Sequence, residues 1–307
     1  MIETSVIMAT YKEDIKFLKQ SIESILNQTY KDFEYIIILD DPENQEHIQL
    51  INEYAKKDQR IRFYINERNM GIQKTANRGL SLAQGKYICR MDADDISLPD
   101  RIEKQIAFIN DNNYDYIGGA TKVIDENSVQ LYDASIIPTR HEKIIKALKY
   151  NQVISNPTVF AKREVFDKLG GYRIVMTEDY DFTLRAVLSG FKVGNVSDVV
   201  LQYRMTQNSI SRTNLYTQFL YGKYFSVEYR KGKVANLDKA DLYVKNKDKK
   251  SVAKRYMLAN QRFNQTLNDL TEKKYLSFFK NGIALSFTSW NYLTKIYRFL
   301  RASMERG

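Results

Sequence analysis

The sequence predicts an α/β fold, a mostly parallel sheet flanked by helices and followed by a helical C-terminal extension. Three observations carry that reading. Short apolar runs alternate with stretches of helical periodicity over the first two-thirds of the chain, the pattern of strands joined by crossover helices. The run Lys86-Tyr87-Ile88-Cys89-Arg90-Met91 leads straight into Asp92-Ala93-Asp94-Asp95, which puts a cluster of acids where a buried strand would stop. From about Tyr216 the glycine and turn signals thin out and the periodicity is almost wholly helical.

Taken in order, residues 5–10 are a short apolar run and read as a first strand. Residues 16–26 carry Phe17, Ile22, Ile25 and Leu26 at helical spacing. Residues 33–39 are a second strand that ends in Asp40-Asp41-Pro42. A helix over 47–57, a third strand over 61–65 and a helix from Asn69-Met70-Gly71 to about Ala83 follow, and Gly85 stops the last of these. Right-handed crossovers bring the carboxyl ends of such strands to one rim, which would gather Thr10, Asp40, Asp41, Asp92 and Asp94. Beyond Pro99 the pattern predicts a helix over 101–110, a strand over 116–124, a helix over 142–149 and a short strand over 158–161. Gly170-Gly171 breaks the chain before Glu178-Asp179-Tyr180-Asp181, which opens a helix to about Leu188 with acids in its first turn.

At 307 residues the chain holds one large domain or two smaller ones, and 43% hydrophobic residues suffice for a real core. Low counts of Gly (13) and Pro (4) exclude a disordered or low-complexity chain. The single cysteine, Cys89, reads as core filling and cannot form an internal disulfide, which fits a reducing, cytoplasmic compartment. The opening Met1-Ile2-Glu3-Thr4-Ser5 has no basic n-region, so no secretory signal is expected, and no apolar stretch is long and clean enough for a transmembrane helix. The net charge of +10 is uneven: residues 1–221 carry −2 and residues 222–307 carry +12. A boundary near Tyr221 is therefore expected, with a catalytic unit over 1–221 and a basic helical region over 222–307. The basic region calls for an anionic partner, a membrane surface or nucleic acid.

Asp92 and Asp94 are two residues apart, so an extended backbone would project both carboxylates to one side. Like charges that close repel unless a cation lies between them, and a hard divalent ion with oxygen ligands suits the place. Open α/β sheets also bind their ligands at the carboxyl ends of strands. The alternative for these acids is a solvated turn or helix cap, which Asp favours. The same alternative holds for Asp40-Asp41-Pro42 as a turn and for Glu178 and Asp179 as caps. Asp181 reads as structural, and the isolated His47 and His141 read as surface residues without a catalytic task.

Several segments, in order, resemble the family 2 glycosyltransferases of GT-A (Rossmann-like) fold. They are residues 5–11 (SVIMATY), 24–30 (SILNQTY), 33–41 (FEYIIILDD), 69–71 (NMG) and 77–105, which contains MDADD. Residues 156–163 (NPTVFAKR), 170–185 (GGYRIVMTEDYDFTLR) and 203–211 (YRMTQNSIS) complete the set. The resemblance covers roughly the first two-thirds of the chain and implies inverting transfer of a sugar from a nucleoside-diphosphate sugar, with uridine ahead of guanosine or thymidine. Position by position, it implies that Thr10 and Tyr11 lie near base and ribose and that Asp41 binds the base. Asp92 and Asp94 would be the DxD pair, facing ribose, a Mn²⁺ or Mg²⁺ ion and the diphosphate. Asp179 would be the catalytic base, and Arg204 would lie near the departing diphosphate. The resemblance further implies a glycan or lipid-linked acceptor in bacterial surface-polysaccharide (capsule-type) synthesis, on the cytoplasmic side of the plasma membrane. Family members often have His where Asn156 stands and within the stretch 205–208, and neither is His here.

In-line inverting transfer needs a base for the acceptor hydroxyl, and it needs positive charge for the leaving diphosphate. Asp179, the Asp92/Asp94 pair and Arg204 would supply these. Two rival readings remain at this point: a haloacid-dehalogenase-like phosphatase using Asp92 as nucleophile, and a non-enzymatic module whose basic, Tyr-rich tail grips nucleic acid. The tail also carries a stripe of Leu276, Phe279, Ile283, Phe287, Trp290, Leu293, Tyr297 and Leu300 at helical steps. Lys273, Lys274, Lys280, Lys295, Arg298 and Arg301 flank or interrupt it. It predicts a helix that packs on the catalytic domain, on a second copy of the chain, or on an anionic leaflet as a peripheral contact.

Overall fold

The computed structural model describes residues 2–134, 136–206 and 214–305. The parallel half of its sheet comprises β1 (Thr4–Thr10), β2 (Phe33–Leu39), β3 (Ile61–Ile65) and β4 (Tyr87–Asp92), in the order β3-β2-β1-β4. Helices α1 (Ile15–Leu26), α2 (Gln45–Lys57) and α3 (Ile72–Leu82) make the crossovers. All seven residues of β2 are buried because the sheet is covered on both faces. Ile36 and Ile38 join one apolar cluster with Ile7 and Ile88, while Tyr35 and Ile37 join the other with Met8 and Met91. This is the period-two alternation of a pleated strand with a core on each side. Gly79 lets α3 lie against the sheet, since a Cβ there would fall 2.4 Å from Ile7 Cγ2.

The rest of the sheet was only partly legible. β6 (Tyr116–Ile124) lies where the sequence predicts it, and β8 (Phe160–Lys162) starts just after a 3₁₀ turn at Asn156–Thr158. Both β4 and β6 pair with β8 antiparallel, and β6 pairs with β9 (Val193–Arg204) parallel. The short strands β5 (Ile96–Ser97) and β7 (Gln130–Ala134) close the sheet, on β9 and β6 respectively. The β6–β9 register shifts around Gly119, Ala120 and Thr121. Such an irregularity breaks side-chain alternation, and Asn195, Ser197 and Asp198 interrupt the apolar run of β9, so its sequence carries no clean strand signal. α4 (Arg101–Asp111), α5 (His141–Ala147), α6 (Arg163–Leu169) and α7 (Glu178–Leu188) complete this part.

Among the described residues five helices follow: α8 (Leu215–Arg230), α9 (Leu237–Lys247), α10 (Lys250–Thr271), α11 (Tyr275–Ser286) and α12 (Trp290–Ser303). The boundary expected near Tyr221 falls inside α8. Phe225 and Tyr229 of that helix join the main core, whereas Tyr216 and Leu220 join Val244, Tyr256, Leu285 and Tyr292 in a separate cluster. One rigid helix thus pins the extension to the sheet. The apolar stripe expected on a single helix is divided between α11 and α12, because Ser289 caps α12 by accepting from the Tyr292 amide. All its members but the half-buried Leu293 stay outside: Leu276 is 91% exposed, Phe287 81% and Trp290 80%. The face that α12 buries instead runs through Tyr292 and Ala302. Among the described residues no helix is long and apolar enough to cross a membrane.

Candidate active site

Above the carboxyl ends of β1 and β4 lies a cavity of about 1130 Å³. Register explains its floor: Ala9 pairs with Asp92 and Thr10 with Leu39, so the three strand ends are level. Asp92 is the last residue of β4, but Asp94 sits in the turn that follows rather than on the strand. Both line the cavity, together with Glu13, Glu178 and Asp179. Carboxylates gathered around one cavity repel one another. Burial pushes the Asp94 carboxyl up to about 7, with Asp92 and Glu13 adding to the rise. Burial likewise raises Asp92, against the pull of Arg90 and Arg101.

The turn is held from beneath. Arg204 is 1% exposed, and its Nε donates to the Asp94 carbonyl at 2.8 Å. Its other nitrogens donate to the Asp125 carbonyl (3.0 Å), Ser128 Oγ (3.0 Å) and Gln20 Oε1 (2.8 Å), and the guanidinium stacks 4.3 Å from the Phe17 ring centroid. The Arg204 amide donates to buried Asp95 at 2.7 Å. The resemblance implies that Arg204 lies near a departing diphosphate; in the structure its contacts are with the acidic turn and its neighbours. Its guanidinium is engaged with the protein on every nitrogen, and it positions the acidic turn instead of lining the cavity. A second buried arginine, which sequence reasoning passed over, lies behind Asp92. Arg90 NH2 is 3.5 Å from Asp92 Oδ1, and its Nε and NH1 have no hydrogen-bond partner among the described residues.

Asp179 comes from the first turn of α7, as its sequence position suggested, and its carboxyl is raised by burial against hydrogen bonds from the Tyr180 amide and the Gln152 side chain. Burial and Asp179 together push Glu178 up to about 7. Asp181 faces away into the core, where Arg173 Nε and Arg185 Nε each donate to it at 2.9 Å, so it is structural as expected. The loop before α7 is fixed by Asn77, which donates to the Tyr172 carbonyl and accepts from the Tyr172 amide, both at 2.8 Å. Asn77 approaches so closely that only glycine fits at position 171, where φ is +75° and a Cβ would lie 2.5 Å from Asn77 Oδ1.

The remaining expected residues divide. Tyr11 lines the cavity with its ring 37% exposed. Thr10 is buried, and its hydroxyl donates to Glu13 Oε2 at 2.6 Å. Asp41 stands at the rim, accepting from the Glu43 amide at 3.2 Å and 3.8 Å from Lys12 Nζ. Asp40 is committed to the fold, accepting from the Met70 and Gly71 amides at 2.8 and 2.9 Å, which explains the Asn69-Met70-Gly71 segment. His47 is corrected from surface to core: it is 2% exposed, with Nε2 3.0 Å from the Glu13 carbonyl and Nδ1 3.4 Å from Thr10 Oγ1. The i, i+4 pairing of His47 with Ile51 on the inner face of α2 was the available signal. His141 Nδ1 accepts from the Val193 amide at 3.1 Å. Asn156, one of the positions where His was looked for, lines the cavity with its Oδ1 buried and without a hydrogen-bond partner among the described residues. Of the other stretch, Gln207 and Asn208 lie outside the described residues.

Among the described residues no group of three or more His, Cys, Asp or Glu side chains is close enough to hold a metal ion alone. Two carboxylates facing one open cavity nevertheless fit Mg²⁺ or Mn²⁺, which take one or two protein carboxylates and fill the rest of their shell from water and phosphate. Burial raises the Asp94 carboxyl and the nearby Asp92 adds to the rise, a contribution that a bound cation would relieve.

A twisted, mostly parallel sheet with carboxylates at its carboxyl rim defines a nucleotide-binding α/β enzyme. The Glycosyl transferase family 2 model matches residues 5–170. An uncharacterized glycosyltransferase of Methanocaldococcus jannaschii is 37% identical over 222 residues, covering 72% of this chain and 77% of that protein. The O-antigen biosynthesis glycosyltransferase WbnJ of Escherichia coli is 34% identical over 214 residues, covering 69% and 83%. The crystal structure of S. aureus TarS 1-349 in complex with UDP-GlcNAc shares the fold with a TM-score of 0.61 at 15% identity, over 99% of this chain and 89% of that one. The chain belongs to glycosyltransferase family 2 and has its GT-A fold. This membership overturns the phosphatase reading of Asp92 and the non-enzymatic reading of the tail.

Proposed function

We propose that the protein transfers a sugar, with inversion, from a nucleoside-diphosphate sugar to a hydroxyl of a glycan or lipid-linked glycan during surface-polysaccharide synthesis. The observation that carries this reading is that Asp179 lines the same cavity as Asp92 and Asp94. A base and a diphosphate-facing pair on one cavity are what a single in-line displacement needs. Uridine is the base of choice, supported by the UDP-GlcNAc complex of the TarS neighbour.

Asp92 and Asp94 would hold Mn²⁺ or Mg²⁺, and when bound the ion neutralises charge developing on the diphosphate. Tyr11 offers its ring to the base, Asp41 offers a carboxylate at the rim, and Thr10 orders this loop through Glu13. Asp179 accepts the proton of the acceptor hydroxyl as oxygen attacks the anomeric carbon and the diphosphate leaves from the opposite face. Burial raises Asp179 toward the pH at which a carboxylate is an effective base. Membrane contact on the cytoplasmic side is proposed for the exposed Leu276, Phe287 and Trp290, amid the basic residues of the tail. A homo-oligomer contact through the same patch is the competing use.

A thermal-shift screen of UDP, GDP and dTDP with and without Mn²⁺ tests the donor assignment. UDP with Mn²⁺ should raise the midpoint most, because ligand that binds only the folded state stabilises it. No shift with any of the three nucleotides would refute the reading.

A further inference from the structure

A second cavity, of about 470 Å³, opens beside the first, within the roughly 300–1,000 Å³ range of ligand pockets. The two share Gln152, Thr177, Asp179, Gln218 and Phe299 as walls, so the second cavity begins at the proposed base. Its far side is built by the C-terminal helices. Tyr256, Phe263 and Tyr292 supply aromatic surface, and Asn260 and Asn264 supply amides. Rings that cover the C–H faces of a sugar, with amides for its hydroxyls, are suitable walls for a saccharide.

Two features of the cavity lack a polar counterpart among the described residues. Lys295 and Arg298 both line it, yet neither makes an ion pair among the described residues. Lys295 Nζ rests 5.1 Å from the Tyr292 ring centroid and 5.9 Å from that of Tyr256. Arg298 donates only to neutral groups, including Ser226 Oγ at 2.6 Å and the Gly222 carbonyl at 3.2 Å. Its charged neighbour Arg230 and the nearby Lys223 are also cations. The second feature is Tyr256: it is fully buried, and its hydroxyl has no hydrogen-bond partner among the described residues. Half-buried cations without counter-ions and a buried hydroxyl without a partner are costly in an empty pocket.

We propose that this second cavity is the acceptor subsite and that it selects a saccharide bearing an anionic group, a phosphate or a carboxylate, which Lys295 and Arg298 receive. The inference rests on the reading of Asp179 as the base and adds the acceptor's chemical class to it. In the bound state the acceptor's ring stacks among Tyr256, Phe263 and Tyr292, and its hydroxyl reaches Asp179 through the shared wall.

The test uses the full chain loaded with UDP and Mn²⁺, titrated by ligand-observed NMR with matched probes: methyl glucoside, methyl glucuronide and glucose 6-phosphate. The two charged probes should bind at least about tenfold tighter than the neutral one, and the stronger of them names the anion. Lys295→Gln should erase that preference, and Tyr256→Phe should weaken all three probes while keeping the ring. UDP binding, read by thermal shift, should survive both substitutions and shows that each variant is folded. Equal binding of neutral and charged probes, no binding of any probe to a protein that binds UDP, or an intact preference in Lys295→Gln would overturn the inference. Loss of UDP binding by the unmodified chain would instead refute the donor reading.

Discussion

The sheet rim and the C-terminal helices hold buried charge of opposite sign. Around β4 acids are in excess: Asp92, Asp94, Asp95, Glu178 and Asp179 are all pushed up by burial. Around α8 and α12 cations are in excess: burial pushes Lys223, Lys295 and Arg298 down. Folding alone does not favour either arrangement, since an uncompensated buried charge destabilises the native state. Each is understandable as half of a complex, one completed by a cation and a diphosphate, the other by an anion. The two halves meet at Asp179, which lines both cavities.

The most direct way to break this comparison is to remove its meeting point. Asp179→Asn keeps the shape of the wall but cannot accept a proton, so transfer should fall by about 10²–10⁴-fold, the usual worth of a general base. UDP should still shift the thermal midpoint, because the donor pair is untouched. Turnover within a few-fold of the parent would take the base role from Asp179 and unlink the two cavities.

Arg204→Lys sharpens the rim side. A lysine cannot reproduce donations to four separate acceptors on three chain segments, so the acidic turn should lose its support. Stability should drop by about 2–4 kcal/mol, as for a broken buried polar network, and UDP affinity should fall with it. If Arg204 contacted the diphosphate instead, transfer would fall while the denaturation midpoint stayed put.

Opposite charge excess also means opposite pH dependence. The folded state raises Asp94 from 3.8 to about 7 and Glu178 from 4.5 to about 7. Between those values the folded chain binds more protons than the unfolded one, so these two groups destabilise it as pH rises from 4 to 7. Lys295, lowered from 10.5, does the reverse: in the alkaline range the unfolded chain binds more protons, and stability gains as pH rises toward 10.5. Asp94→Asn should therefore flatten the melting-temperature profile on the acid side, and Lys295→Gln on the alkaline side. A profile that neither substitution alters would show that burial perturbs neither group.

Legibility followed the same division. The parallel strands and their rim were readable because β1, β2 and β4 are apolar runs and two of them, β2 and β4, meet acids at their carboxyl ends, so pattern and chemistry coincide there. The support beneath the rim was not. Arg90, Arg204 and His47 are polar residues whose burial depends on partners far away in sequence, such as Gln20 for Arg204. β9 escaped because its register shift removes the alternation on which strand recognition relies. In the tail, periodicity found the helices but left open whether the apolar stripe faces inward or outward. Lys295 and Arg298 were placed beside an apolar stripe, yet the Ser289 cap restarts the helix and turns them toward the cavity. A hydrophobic stripe marks an inner face only where a core is available to receive it.

The smallest expected effect concerns that outward stripe. Phe287 and Trp290 are 81% and 80% exposed, so Phe287→Ser combined with Trp290→Ser removes little buried area and should change stability by less than about 0.5 kcal/mol. Their exposure beside a basic tail gives them a use only if something apolar and anionic covers them, and a vesicle containing phosphatidylglycerol has both properties. Sedimentation with such vesicles should fall in the double variant and in high salt, while UDP-dependent thermal shifts remain unchanged. Should the double variant instead change sedimentation velocity without altering vesicle binding, the patch joins two copies of the chain. The cationic excess of the tail would then serve only the inner cavity.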